Sequence, residues 1–240
     1  MTSPSTTKTK PRVIALIAAA GQGTRLGAEV PKAYVELRGR TLLERSVRAL
    51  LASSVVDEVI VLVSPDMEPE AACIIGRIDA APIRLVHGGS ERADSVWAGL
   101  QAIPDDDAVV LIHDAARALT PPAMVRGVAK RVLEGAPAAV PVVPVADTIK
   151  EVAADAVVST PDRSRLRAVQ TPQAFRLSAL RQANLDYWTQ QPEFTATDDA
   201  SLMEWHGERV ATVPGDTLAF KITTPIDLTL AHALTEETHD

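Results

Sequence analysis

The sequence predicts an α/β fold: a doubly wound, mostly parallel, twisted sheet with a protruding β-arm. Short apolar runs alternate with segments of helical periodicity, as in chains that cover a parallel sheet on both faces. Two of the runs, 59–63 and 108–112, are continuously apolar, which is typical of strands buried on both sides. The alternation breaks after residue 146, where short β-like pieces indicate an antiparallel excursion over about 147–165.

Each element has a local signal. Thr41 and Glu44 form a plausible capping box, and Pro121-Pro122 is typical of a helix start. The expected strands are 13–18, 58–63, 83–87, 108–114, 138–145, 166–170, 209–213 and 218–222. The expected helices are 41–53, 66–77, 91–103, 121–135, 177–187, 198–206 and 224–234.

Composition limits the function classes. Of 240 residues, 46% are hydrophobic, which is enough for a sizeable core. The net charge of −7 and the lack of a basic run argue against a nucleic-acid partner. No apolar stretch is long enough to span a bilayer, and a single cysteine suits a reducing compartment, so we expect a cytoplasmic protein without membrane attachment.

The domain organisation follows from the absence of a linker or an internal repeat. We expect one domain over 12–235, a mobile Ser/Thr/Lys/Pro-rich tail over 1–11 and a short tail over 236–240. Basic residues before the first apolar run superficially resemble a secretory signal, but cleavage there would remove the first strand of the βα pattern.

The stretch after the first strand is the strongest functional signal. Small residues and glycines follow the apolar run, and two cations, Arg25 and Lys32, lie beyond them. Exposed backbone N–H groups followed by Arg and Lys are suited to holding a polyphosphate and stabilising charge that develops on it. The glycines at 21, 23 and 27 are too widely spaced for the dinucleotide fingerprint, and no P-loop motif is present.

Polar residues also follow two other strands. Gly88-Gly89-Ser90-Glu91-Arg92 follows the strand 83–87, with Ser95 one turn into the next helix. The strand 108–114 ends on Asp114, and Arg117 follows three residues later. Ligands of doubly wound sheets bind outside the carboxyl ends of the strands, so we expect these three strand ends to share one site. Each residue alone has an ordinary structural explanation.

Asp114 is the best candidate for a metal ligand. A single carboxylate at a strand end can hold Mg²⁺ when phosphate oxygens and waters complete the octahedron. The histidines have no metal-ligand spacing and no cysteine pair exists, so a zinc site is not expected.

Several motifs carry a family resemblance. Ala18-Ala19-Ala20-Gly21 with Gly23, Arg25 and Pro31-Lys32 resembles the opening signature of nucleotidyltransferases that activate sugar or polyol phosphates. Further motifs narrow it: 88–96, 113–117, 147–150, 171–173 and 197–200. Together, over about 12–235 and in order, the chain resembles the 2-C-methyl-D-erythritol 4-phosphate cytidylyltransferase family.

The resemblance implies a Rossmann-like nucleotidyltransferase and a reaction of CTP with methylerythritol phosphate that gives the CDP-alcohol and pyrophosphate. It implies Mg²⁺ as the cofactor, with other divalent cations possible, and a homodimer whose β-arm crosses to the neighbouring subunit. The implied catalytic residues are Arg25, Lys32, Arg163 and Lys221. The implied CTP-binding residues are Ala19, Ala20, Gly21, Gly23, Gly89, Ser90, Arg92 and Ser95. The implied substrate-binding residues are Asp114 (also the metal ligand), Arg117, Thr148, Thr171 and Thr197, with Thr148 and Arg163 serving the partner's site.

Two positions depart from the family pattern. Ser90 stands where some members carry Asp, which puts its nucleotide contact in doubt, and Ala18 replaces a frequent Pro. The chemistry agrees with the resemblance independently, because a phosphate monoester is mostly a dianion at neutral pH and needs no base to activate it. The lack of a Ser-His-Asp set or a reactive cysteine is therefore expected.

Three alternatives remain at this point. A cytidylyltransferase for ribitol 5-phosphate has a similar pocket. A nucleotide-sugar glycosyltransferase would be expected to show a D-x-D metal pair, which Asp114-Ala115-Ala116 does not provide. A non-catalytic nucleotide-binding subunit would not need both Arg25 and Lys32, which are present.

Overall fold

A computed structural model describes residues 10–21, 26, 30–79, 81–104 and 107–235. The predictions about Gly23, Arg25, residues 1–9 of the N-terminal tail and the C-terminal tail lie outside these residues. The strands are β1 (Arg12–Ala18), β2 (Glu36–Leu37), β3 (Arg40–Thr41), β4 (Glu58–Val63), β5 (Ile83–His87), β6 (Ala108–Asp114), β7 (Ala138–Pro144), β8 (Glu151–Ala153), β9 (Ala156–Ser159), β10 (Arg167–Val169), β11 (Gln173–Arg176) and β12 (Val210–Pro214). The helices are α1 (Leu42–Ala52), α2 (Glu68–Ile75), α3 (Arg92–Gln101), α4 (Pro122–Leu133), α5 (Leu177–Gln190), α6 (Asp199–Trp205) and α7 (Pro225–Leu234).

The central sheet is mainly parallel, as predicted. β1 lies between β4 and β6, β5 pairs with β4, and β12 pairs with β7, all in parallel. The antiparallel β11 joins β6 to β7, and β10 also pairs with β7. The carboxyl ends of β1, β4, β5 and β6 therefore share one edge of the sheet.

Helices cover both faces of this sheet. Along β1, Val13, Ala15 and Ile17 face one buried cluster, whereas Ile14 and Leu16 face another. The first cluster is completed by apolar residues of α1, α2 and α4, and the second by residues of α3, α5 and α6. This alternation along a strand buried on both sides confirms the doubly wound prediction.

The Thr41 capping box is present in part, because the Thr41 side chain accepts a hydrogen bond from the Glu44 backbone N–H.

The expected strand over 218–222 is wrong. Residues Thr217–Ala219 form a short 3₁₀ turn, and the Asp216 side chain accepts a hydrogen bond from the Leu218 N–H. Asp and Thr at such positions satisfy backbone donors locally and favour a turn over a strand.

Two elements were absent from the predictions. Each strand of the β2–β3 hairpin has only two residues. β11 is a four-residue antiparallel strand directly followed by α5. Such short segments carry too few residues for a periodicity signal.

The predicted arm region contains a separate two-stranded antiparallel sheet, β8–β9. Most of its residues are exposed, including Val152, Val157 and Val158.

In the part of the chain that the structure describes, no helix has both the length and the hydropathy to cross a bilayer.

Candidate active site

A cavity of about 210 Å³ opens at the carboxyl edge of the sheet, where β1 and β6 end and the β5–α3 turn begins. Its lining combines small residues with charged ones: Ala18, Ala19, Ala20, Gly21, Lys32, Ala33, Gly89, Ser90, Glu91, Arg92, Ser95, Asp114, Ala115, Ala116 and Lys221. The three strand ends expected to share a site therefore do so.

The floor of the cavity comes from paired strand ends. Ala18 of β1 lies opposite Asp114 of β6 in parallel register, and the Ala19 N–H donates to the Leu62 carbonyl at 3.0 Å. These bonds hold the chain in place up to the described part of the glycine-rich loop, and its small side chains leave the cavity open.

The β5–α3 turn lies close to this loop. A Cβ on Gly88 would be 2.5 Å from Ser95 Oγ and 3.1 Å from Ala20 Cβ, so the approach of the two segments requires a glycine. The buried Ser95 hydroxyl donates to the Glu91 carbonyl at 3.0 Å, and Ser90 donates to Asp94 at 2.9 Å. Ser90 and Ser95 thus lie on the same wall.

Lys32 reaches the cavity from a short 3₁₀ turn, Lys32–Tyr34. Ala33 and Tyr34 are buried in the core beside α1, and the Tyr34 N–H donates to the Pro31 carbonyl at 2.9 Å. Burial of the two neighbouring side chains fixes the backbone from which Lys32 projects, and thereby its direction.

Asp114 is the centre of an ionic cluster. Its Oδ2 atom is 2.8 Å from Lys221 Nζ, and its Oδ1 atom accepts from Arg92 Nε at 3.4 Å. Burial alone would raise the pKa of Asp114, but the charges of Arg92 and Lys221 outweigh it and hold that pKa well below its usual range. Asp114 is therefore ionised at neutral pH inside the cavity.

Lys221 reaches Asp114 because the segment before α7 is tied to the residues after β6. The Ile222 N–H donates to the Ala116 carbonyl at 2.9 Å, and Arg117 Nη1 donates to the Ala219 carbonyl at 2.7 Å. Lys221 was expected in a strand, yet this irregular segment still brings its ammonium to the cavity.

A second polar contact supports Asp114 from behind. Its backbone N–H donates to Thr171 Oγ1 at 3.1 Å, and Thr171 Oγ1 is 3.0 Å from His113 Nδ1. Complete burial lowers the pKa of His113 to about 4, so its imidazole is neutral at pH 7. Thr171 is itself buried and contacts the protein instead of lining the cavity.

The remaining predicted residues that the structure describes lie outside the cavity lining. Besides Ala219, Arg117 contacts the Val169 carbonyl at 3.3 Å. Thr197 lines a neighbouring cavity of about 200 Å³ beside α5 and α6. Thr148 is exposed, and Arg163 donates to the Ala146 carbonyl at 2.6 Å near the base of the β8–β9 hairpin.

Asp199 was not singled out from the sequence. It is buried, and its Oδ2 atom accepts from Arg92 Nη2 at 2.8 Å. Burial raises the pKa of Asp199, and the Arg92 charge opposes that shift. Asp199 occurs in the motif 197–200, but no local pattern could indicate its pairing with Arg92, which lies far away in the chain.

The donor set for a metal ion is sparse. Among the described residues, no group of three or more His, Cys, Asp or Glu side chains is placed to hold an ion. Asp114 presents one carboxylate to the cavity. Mg²⁺ is commonly bound through one or two carboxylates plus substrate phosphates and waters, so this residue fits such an ion once a polyphosphate is present.

Comparisons with known proteins identify the family. Residues 13–237 match the family model described as 2-C-methyl-D-erythritol 4-phosphate cytidylyltransferase. A relative of that name from Corynebacterium diphtheriae is 63% identical over 230 residues, covering 94% of each chain. One from Rhodococcus jostii is 50% identical over 226 residues, covering 94% of this chain and 96% of the relative.

Solved structures agree. The enzyme of the same name from Thermus thermophilus superimposes with a TM-score of 0.76 at 36% identity, covering 93% of this chain and 98% of that one. The 4-diphosphocytidyl-2C-methyl-D-erythritol synthase from Anaerococcus prevotii gives a TM-score of 0.81 at 30% identity, covering 94% and 99%.

Proposed function

The chain belongs to the 2-C-methyl-D-erythritol 4-phosphate cytidylyltransferase family, and from this premise we propose how its cavity carries out the reaction. The protein is a nucleotidyltransferase: it transfers the cytidylyl group of CTP to 2-C-methyl-D-erythritol 4-phosphate in isoprenoid biosynthesis. The products are 4-diphosphocytidyl-2-C-methyl-D-erythritol and pyrophosphate. The roles assigned below to individual residues are our proposal.

The observation that supports these roles is the convergence of Lys32, Arg92, Asp114 and Lys221 on one cavity beside the glycine-rich loop. Three cations against two carboxylates, the buried Asp114 and the exposed Glu91, leave the lining with a net positive charge where an anionic nucleotide and an anionic phosphate must meet. This arrangement attracts both substrates although the whole protein carries a charge of −7.

The nucleotide lies against the small residues of the loop. Ala19 and Ala20, with Gly89, Ser90 and Ser95 opposite, surround the cytosine and the ribose. The loop from Gly21 through Gly23 to Lys32 holds the triphosphate. Side chains this small let the base approach the backbone, whose N–H and C=O groups can read its polar edge. Arg92 contributes its charge beside them.

The acceptor phosphate attacks the α-phosphorus in line. An oxygen of the phosphate dianion forms the new P–O bond, the bond from the α-phosphorus to the bridging oxygen breaks, and pyrophosphate leaves with that electron pair. Lys32 and Arg25 stabilise the charge on the crowded phosphorus and on the leaving group. Lys221, held by Asp114, positions the acceptor phosphate. The resemblance also assigns Arg117, Thr171 and Thr197 to the acceptor's site, although they lie outside the lining of the main cavity, and Thr171 supports Asp114 from behind.

Nucleotidyltransferases of this family generally use a divalent metal ion; we propose Mg²⁺, with Asp114 as its protein ligand. When bound, such an ion neutralises phosphate charge and polarises the phosphorus. The residues of the chain itself align the nucleophile with the α-phosphorus and keep the site positively charged.

We further propose a homodimer in the cytoplasm. The exposed valines of the β8–β9 hairpin support this assembly because a two-stranded sheet has little core of its own. Thr148 and Arg163, which lie beside that hairpin and away from the cavity, then act in the partner's site.

The decisive experiment measures pyrophosphate release from CTP and Mg²⁺ with a panel of polyol phosphates. We expect release with 2-C-methyl-D-erythritol 4-phosphate and little with ribitol 5-phosphate. Release only with ribitol 5-phosphate would redirect the substrate assignment, and no release with any acceptor would overturn the enzymatic role. ATP, GTP and UTP serve as the nucleotide controls.

A further inference from the structure

Arg92 connects two buried carboxylates that belong to different parts of the fold. Its Nη2 atom donates to Asp199 at 2.8 Å, and its Nε atom donates to Asp114 at 3.4 Å. Asp114 in turn pairs with Lys221 at 2.8 Å. The charges thus alternate along a row: Asp199, Arg92, Asp114, Lys221.

Asp199 is the one member of this row that does not line the main cavity. Arg92, Asp114 and Lys221 all line the cavity, whereas Asp199 lines only the neighbouring cavity beside α5 and α6. Arg92 makes the shorter of its two carboxylate contacts with Asp199, which is not part of the lining of the main cavity. The effect of Asp199 on the reaction must therefore pass through Arg92.

The backbone around Asp199 is firmly held. Buried Gln173 of β11 donates from Nε2 to Asp198 at 2.6 Å and accepts from the Ala200 N–H at 3.2 Å. Asp198 also accepts from the Ser201 N–H at 2.8 Å as the helix cap. The first turn of α6 is therefore fixed to the sheet, and Asp199 cannot follow Arg92 if the guanidinium moves.

The balance between the two carboxylates decides where Arg92 lies. A guanidinium prefers a short, bidentate contact with one carboxylate. With the charge of Asp199 removed, Asp114 is the remaining carboxylate of the row, and Arg92 would close on it. A bidentate contact would bring Arg92 onto Asp114 Oδ2 as well as Oδ1, and Oδ2 is the oxygen that Lys221 contacts.

We propose that Asp199 is a positioning residue for the cytidylyl transfer: it holds Arg92 back from Asp114 and keeps the Asp114 carboxylate paired with Lys221. This assignment rests on the function proposed above. It gives a role to a buried acidic side chain outside the lining of the main cavity.

The test is a double-mutant cycle on kcat/KM for 2-C-methyl-D-erythritol 4-phosphate. Asp199→Asn keeps the shape and removes the charge; we expect at least a tenfold loss in the otherwise unmodified enzyme. In an Arg92→Ala background the same substitution should cost less than threefold, because Arg92 is the group through which Asp199 acts. An equal loss in both backgrounds, or no loss in either, would overturn the assignment.

Asp198→Asn is the matched control. It alters the neighbouring carboxylate and the same helix turn but has no contact with Arg92, so kcat/KM should stay within threefold of the unmodified enzyme. A loss equal to that of Asp199→Asn would mean that both act by loosening α6, and the assignment would fail.

Two further measurements keep the outcomes separate. If Asp199→Asn does not fold, Asp199→Glu is tested instead, because it retains the charge and adds one methylene. A loss of activity that disappears in the Arg92→Ala background supports the assignment. A loss that persists in that background overturns it. Absence of turnover by the unmodified enzyme would overturn the proposed function, and this assignment with it.

Discussion

Asp114 ends a strand in which every residue is buried, whereas Arg163 lies beside a hairpin in which nearly every residue is exposed. Asp114 contacts Lys221, Arg92 and Thr171, so its position is fixed within one chain. Arg163 is an exposed side chain that donates to a single loop carbonyl, that of Ala146.

The two groups of site residues are therefore organised by different contacts. Side chains at the edge of the central sheet are organised by burial and charge pairing before any ligand arrives, which is the condition for electrostatic stabilisation. Side chains of the arm region become organised only when the arm packs against another protein surface. Four measurements test whether the central site and the arm differ in this way.

Lys32→Ala should lower kcat/KM by ~10²-fold or more while the fold survives, because one cation aimed at the reacting phosphorus is removed. Steady-state pyrophosphate release measures it, and circular dichroism checks the fold. Lys130→Ala is the matched control: Lys130 is an exposed lysine near the end of α4, paired only with Glu134 at 3.6 Å, and its loss should leave turnover unchanged. Near-normal turnover of Lys32→Ala would remove Lys32 from the mechanism.

The buried histidine should make folding stability pH-dependent. The pKa of His113 is lowered from 6.5 to about 4, so between these values the unfolded state binds a proton that the folded state does not. Stability therefore rises with pH across this window, and lowering the pH from 6.5 to 5.0 should cost about 1.6 kcal/mol from this group.

Urea unfolding at the two pH values measures the effect, and His113→Gln should show a shallower dependence whatever its absolute stability. An unchanged dependence in that variant would contradict the assignment of the slope to His113.

Arg163→Ala should lower kcat/KM about tenfold, as expected for loss of one charged contact with a substrate phosphate. If the arm serves the partner's site, mixing this variant with Lys221→Ala restores activity, because each mixed dimer contains one site with both residues intact. Statistical mixing should then give about a quarter of the normal activity. No recovery after denaturation and co-refolding would place Arg163 in its own subunit's site.

Val157→Asp should change the free energy of unfolding of the chain by less than about 0.5 kcal/mol, because Val157 is 60% exposed. The same substitution should abolish the dimer, since it places a charge in an interface that we expect to be apolar. Sedimentation equilibrium measures association, and Val47→Asp, a fully buried position, is the contrasting control that should prevent folding. An unaltered dimer would remove the hairpin from the interface.

The sequence was most informative where a signal is local. The strands β1, β4, β5 and β6 and the capped helices could be predicted because apolar runs and cap residues act over a few positions. Placing Gly21, Arg92 and Asp114 on one edge of the sheet followed from the rule that parallel strands present their carboxyl ends together.

Contacts between distant segments could not be predicted in this way. The strand expected over 218–222 is a turn, because Asp216 offers a nearby acceptor for a backbone N–H and α7 buries Ile222 against Leu37 and Leu42. The pairing of Asp199 with Arg92 depends on α6 docking beside β11, which no local pattern encodes.

Local sequence patterns were sufficient to place the helices and the longer strands in order and to show the glycine-rich loop and the kinds of charge available to a site, since these depend on neighbouring residues. Only the tertiary structure decided which charges meet. Asp114 finds Lys221 and Arg92, and Arg92 finds Asp199, because sheet register and helix docking bring together groups that are far apart in the chain. Buried charges are stable only when paired, so these partners became evident only once the chain was folded.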